Sequence, residues 1–168
     1  MKAVVNAGPL MALGKLGLLQ LLPSLYQPVL VPSDVYEEVV VRGLERDQPD
    51  AYAVQLAIAR GQVEMRPMGE IPLTESICGL PLHPGEKSVI QLAIIETADW
   101  ALLDDWLARE SARRFNLRVK GTLGIIVAAY QQALLTQREV EIIFQSMVDR
   151  DDIWISDELV RRVWKELL

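Results

Sequence analysis

The sequence predicts an α/β fold, a mainly parallel sheet covered by helices on both faces. Three observations carry that expectation. Short apolar and β-branched runs alternate with stretches of helical spacing along the whole chain. Nearly every run is closed at once by a turn or helix-start residue, as at Asn6-Ala7-Gly8-Pro9 and Pro32-Ser33. Most of the runs are also short and apolar, which suits strands buried on both faces.

Taken in order, Ala3-Val4-Val5 is a strand, and Leu10 to Leu22 is a helix with a second short one, broken by Gly14 and Gly17. Val29-Leu30-Val31 is a strand closed by Pro32, and Ser33 or Asp34 caps a helix through about Val41. Gly43 to Asp50 is polar and holds Pro49, so it reads as a loop. Ala51 to Arg60 is helical and ends at Gly61. Val63-Glu64-Met65 is a strand with one exposed face. Pro67 to Pro84 is a long surface loop carrying Cys78, and Pro84 opens a helix. Trp100 to Leu103 is a strand, Trp106 to Phe115 a basic amphipathic helix, Leu117 to Lys120 a strand, and Leu123 to Leu135 a helix begun at Thr122. Arg138 to Val148 and Ser156 to Leu168 add two helices. The length of 168 residues suits one domain, 1–168, with 136–168 as a helical C-terminal extension.

Half the residues (51%) are hydrophobic and 24% charged, the profile of a globular protein rather than a disordered one. No apolar run is long enough for a membrane span, and the N-terminus lacks the marks of a signal peptide. One cysteine, Cys78, excludes an intrachain disulfide, and a cytoplasmic location is expected. Seventeen basic against twenty-three acidic side chains give a net charge of −6, which opposes non-specific binding to a polyanion. The basic residues are nonetheless concentrated. Arg109, Arg113, Arg114, Arg118 and Lys120 fall within a stretch whose only acid is Glu110, either a solvated face or a phosphate-binding strip.

Residues that follow the strands of a parallel sheet collect along one edge, where ligands bind. Asn6, Asp104 and Asp105 end strands; Glu86 lies in the first turn of the helix entered at Pro84; Glu37 and Glu38 lie a turn into the helix after Val31, with Glu38 the more inward. Carboxylates brought together repel one another unless a cation sits among them, and Mg²⁺ or Mn²⁺ prefers such oxygen ligands. Each residue also has an ordinary role: Glu86 matching the helix dipole, Asp104-Asp105 as an N-cap pair, Glu37-Glu38 as a solvated face, Asn6 as a turn residue. His83, the only histidine, reads as a turn residue ahead of Pro84.

Five segments in register resemble the PIN-domain family, and within it a branch related to VapC-type toxins. They are Val4 to Leu10 with Leu16-Gly17-Leu18-Leu19; Val31 to Val39; Leu82 to Glu86; Leu102 to Asp105 with Arg109; and Gly121 to Gly124. The resemblance is strongest over about 3–130. It implies a three-layer α/β/α fold, frequent homodimers, and a quartet of acids binding Mg²⁺ or Mn²⁺ to cut RNA, in some members as the toxin of a toxin–antitoxin pair. Carried over, Asn6 stands where the family's first Asp ligates metal, Glu38 matches the helix Glu, Glu86 the acid opening the central helix, and Asp104, with Asp105 beside it, the acid after the fourth strand. Thr122 falls where a hydroxyl supports the metal, and the strip from Arg109 to Lys120 where phosphates are held. The amide at Asn6 removes one negative charge. A PIN-like module that binds RNA or protein without efficient cleavage is therefore the second reading. A receiver-like phospho-acceptor is a third, disfavoured because no acidic pair follows the first strand.

Overall fold

A computed structural model describes residues 1–167. Strand β1 (Ala3–Val5) leads into α1 (Ala7–Lys15) and α2 (Leu21–Leu25), and β2 (Val29–Pro32) follows. From Ser33 the chain is helical through Glu45 (α3, 33–45), but its middle, Glu37–Val41, is wound as a π turn. There the Arg42 amide reaches back five residues to the Glu37 carbonyl. Then come α4 (Pro49–Ala59), β3 (Glu64–Arg66), α5 (Glu75–Cys78), α6 (Pro84–Ile95), β4 (Trp100–Leu102), α7 (Trp106–Arg114), β5 (Arg118–Lys120), α8 (Thr122–Gln131), α9 (Gln137–Asp149) and α10 (Asp157–Leu167). The helix expected over Ser156 to Leu168 ends, at Leu168, outside the described residues.

The five strands form one parallel sheet in the order β3-β2-β1-β4-β5. Right-handed crossovers then place α1, α3 and α4 on one face, where the chain steps from β1 to β2 to β3. They place α6 and α7 on the other, where it steps back over the sheet to β4 and β5; α6 packs across β1, β2 and β4. Helix α8 returns to the face of α1, and α9 and α10 stack on it. The three layers are α/β/α. One contiguous apolar cluster fills them, with Val4, Val5, Leu30, Val31, Ala101 and Leu102 fully buried in the strands.

Two expectations needed correction. The stretch from Gly43 is not all loop, because α3 runs on to Glu45; Gly43 is a helix-packing position, and a Cβ there would lie 2.6 Å from the Ala51 Cβ on α4. The long connection after Pro67 is not structureless either, since Glu75–Cys78 forms a helical turn whose Ile77 is buried. Apart from these, strand and helix ends differ from the expected ones by a few residues, the ordinary uncertainty of frayed ends.

Candidate functional site

The order of the sheet reverses between β1 and β4, and the residues leaving those two strands stand side by side. The Asn6 amide N–H donates to the Leu102 carbonyl (3.0 Å) and that of Leu103 to the Lys120 carbonyl (2.9 Å). Asn6 and Asp104 therefore flank the switch point, the usual ligand crevice of such sheets.

Asn6 occupies the N-cap position of α1 with an extended backbone, yet its side chain makes no capping bond, and it is buried. Its amide oxygen is thus turned to other use. It lies, with Glu38 Oε2, against Gly85: a Cβ built there would be 3.3 Å from the Glu38 oxygen and 3.6 Å from Asn6 Oδ1. The lack of a side chain at Gly85 lets α6 approach these two oxygens. Glu38 is carried on the π turn of α3 and is half-buried, while Glu37 beside it is exposed. Helices α3 and α6 are tied together below them, where the buried Ser88 hydroxyl donates to the Asp34 carboxylate. Asp34, expected from the sequence only as a possible helix cap, makes no capping bond and instead helps orient the pocket.

Asp104 is half-buried and held by one residue from both sides. The Thr122 amide N–H donates to Oδ1 and the Thr122 hydroxyl to Oδ2, each at 2.7 Å. Thr122 is itself fully buried at the start of α8. Two glycines keep the space around this carboxylate open: a Cβ at Gly8 would lie 3.1 Å from Oδ2, and one at Gly121 only 2.8 Å from Oδ1. Burial pushes the Asp104 carboxyl above its usual range, although the Thr122 bonds and the nearby Arg109 charge pull the other way.

Glu86 closes a capping box on α6, its Oε2 accepting from the His83 amide (3.0 Å) while His83 Nδ1 accepts from Gly85 (3.3 Å). His83 Nδ1 also lies 3.9 Å from Glu38 Oε2. His83 is thus a helix cap, a more specific role than the turn residue expected. Burial pushes Glu86 up as well, opposed by the His83 contacts and reinforced by the negative charges of Asp105 and Glu38. Asp105 itself is exposed and caps α7, accepting from the Ala108 amide at 2.8 Å. The ordinary roles of Glu86 and Asp105 are therefore real, and they coexist with a shared edge.

The donors at this edge are all oxygen, which suits a hard divalent cation in kind. In placement they are loose: among the described residues no three acid, histidine or cysteine side chains stand around one point closely enough to hold a metal ion. Asn6, an amide among three acids, also leaves the set one charge short of a quartet.

The basic strip divides. Arg109 is half-buried beside Asp104, its Nη1 near Gly121, and its Nε is buried with no partner. Arg113 pairs with Glu110, and Arg114 is exposed. Arg118 does not join them at the acidic edge, and Lys120 borders the cleft of Asp104 and Arg109 but turns its ammonium away from it. Their cationic ends lie over the Trp100 ring, at 4.6 and 4.2 Å, and Arg118 also bonds Asp99. Side chains on β5 alternate faces, which separates this pair from Arg109 on α7 in a way that linear spacing does not reveal. The sequence also gave no notice of Gly8, Gly85 and Gly121 as spacers, although each lies within two residues of a site residue or its neighbour across the pocket.

A family model described as a PIN domain matches residues 2–167. Neither a curated protein nor a solved structure matches the chain.

Proposed function

The chain belongs to the PIN-domain family, and from that premise we propose that it is a metal-dependent ribonuclease module in which Asn6, Glu38, Glu86 and Asp104, with Asp105, gather Mg²⁺ or Mn²⁺. The observation that supports this most is Asp104, fixed through both oxygens by Thr122 in an open, glycine-lined crevice while burial disfavours its charge. Glu86 bears a similar burden, which a dication beside it would relieve. Such a cation would supply an activated water and offset the charge that develops on a phosphodiester. Thr122 orients Asp104, and Arg109 lines the cleft beside it, where its guanidinium would meet a phosphate. Arg113 and Arg114 extend that cationic side along α7, and Arg118 with Lys120 would hold RNA more remotely. The chain is taken as one domain that pairs as a homodimer and can serve as the toxin partner of an antitoxin protein.

One feature favours a second reading, a module that binds RNA or protein without efficient cleavage. The amide at Asn6 removes a charge from a site whose acids already fail to converge on one point. Metal affinity falls with each carboxylate lost, and the water is less firmly oriented.

Labelled RNA incubated with the purified protein and Mn²⁺ separates the two. The nuclease reading expects cleavage that chelator abolishes, that Glu38→Gln or Asp104→Asn removes, and that Thr122→Val slows by about 10- to 100-fold. If the native protein leaves RNA untouched while Asn6→Asp cuts it, the binding-module reading stands. Metal-independent cutting sinks both.

A further inference from the structure

Tryptophan is the side chain with most to gain from burial, so a ring held in water needs a reason. Trp154 is 92% exposed and Trp106 70%. Neither hangs on a loose segment. On one side of Trp154, Arg150 grips both oxygens of Asp152 at 2.8 and 2.7 Å and also donates to the Lys15 carbonyl at 2.9 Å. Lys15 in turn donates to the Asp152 carbonyl. On the other side, the Ser156 hydroxyl accepts from Leu159 at the start of α10 (3.1 Å). Ile153 is buried and Ile155 half-buried, so the two neighbours point inward and the indole between them is directed out. Trp106 opens α7 directly after its cap, Asp105.

The two rings line one cleft of about 440 Å³, whose walls also include Gly8, Asp104 and Asp105. Trp154 further borders a second cleft of about 400 Å³ that holds Arg109 beside the same Asp104. The indoles thus stand next to the acidic edge with the Arg109 guanidinium in the adjoining cleft. The cleft's apolar lining of Met11, Ala12, Ile153 and Ile155 is broken by Lys15 and three acids, whereas an apolar protein partner would want continuous apolar surface. A nucleobase wants what is present: a flat π face, and a cation close by for its phosphate. Paired bases have their faces covered, so the ligand must be unpaired.

We propose that Trp106 and Trp154 form a base-stacking subsite for single-stranded RNA beside the acidic edge, an inference that rests on the ribonuclease reading and names how its substrate is gripped. The stacked bases lie along the two indoles, and Arg109 takes an adjoining phosphate oxygen.

Binding of a short labelled oligouridylate to the full-length protein, followed by fluorescence anisotropy in chelator, tests this without cleavage. Trp154→Ala and Trp106→Ala are each expected to weaken binding about tenfold or more, whereas Trp154→Phe stays within about threefold because it keeps a stacking face. An abasic oligomer of the same length should bind weakly and respond to neither alanine variant. The proposal is overturned by unchanged binding in both alanine variants, by equal losses for abasic and base-bearing oligomers, by preference for a duplex, or by no binding at all. Tryptophan-dependent binding without any cleavage sustains this subsite and sinks the nuclease reading. Normal cleavage with binding indifferent to both rings does the reverse.

Discussion

Tyr26 lies 2% exposed where the chain approaches β2, and its hydroxyl has no hydrogen-bond partner. Burial pushes the phenol up to about 12, even with the Lys120 ammonium 5.9 Å from its ring. A raised pKa means the unfolded chain releases this proton first. The contribution is therefore intact below the ordinary value of 10.0 and is lost as pH climbs toward 12. Urea midpoints should fall from pH 10 to pH 12, with a slope of up to about 1.4 kcal/mol per unit from this group. Tyr26→Phe should abolish that part of the decline and, at neutral pH, leave stability unchanged or improve it by about 1 kcal/mol, since it deletes a buried hydroxyl with no partner. A midpoint at pH 7 lowered by more than that would mean the hydroxyl is bonded. Residues of the acidic edge were more legible than this one. Asp104 and Thr122 could be picked out because each follows a strand that its own composition announces. What Tyr26 and Trp154 experience depends on which distant segments pack around them, and nothing local encodes that.

Helix α3 shows the same limit one level up. Its start was readable from Pro32-Ser33, but its end was not, because Gly43 looks like a stop signal and acts as a packing position. Gly43→Ala would gain up to about 1 kcal/mol of helix propensity. It would also drive a Cβ to 2.6 Å from Ala51, between two helices that cannot both keep their places. Overpacking of that kind costs about 1–3 kcal/mol, so a net loss of up to about 2 kcal/mol, or up to roughly 8 °C in Tm, is expected. Calorimetry that finds the variant more stable would show that α3 and α4 slide apart freely. The π turn at Glu37–Val41 was likewise illegible. Consecutive Glu37-Glu38-Val39-Val40 suits a regular helix equally well, and only the demand that Glu38 reach the edge while Val39 and Val40 are buried distinguishes the two.

At the scale of the molecule, a net charge of −6 leaves little general attraction for a polyanion, so the proposed RNA substrate would be held by few cations and by its bases. With only Arg109 and its neighbours on α7 near the acidic edge, the slope of log affinity against log salt should lie between about −1 and −2, at roughly −0.7 per phosphate contact on a single strand. A much steeper slope would bring Arg118 and Lys120 into the contact. Strand–helix alternation made the parallel sheet and its two helical covers legible. The order β3-β2-β1-β4-β5 was not, because local pattern says nothing about which strand becomes the neighbour of which. That order has a consequence in time. Strand β1 sits at the centre and closes against a strand that begins only at Trp100, and the grip on Asp104 comes from Thr122. At about 5–20 residues per second, Asn6 emerges several seconds before its partners exist. A pocket proposed to cut RNA therefore has no working geometry for most of the time its chain is being made on an RNA machine.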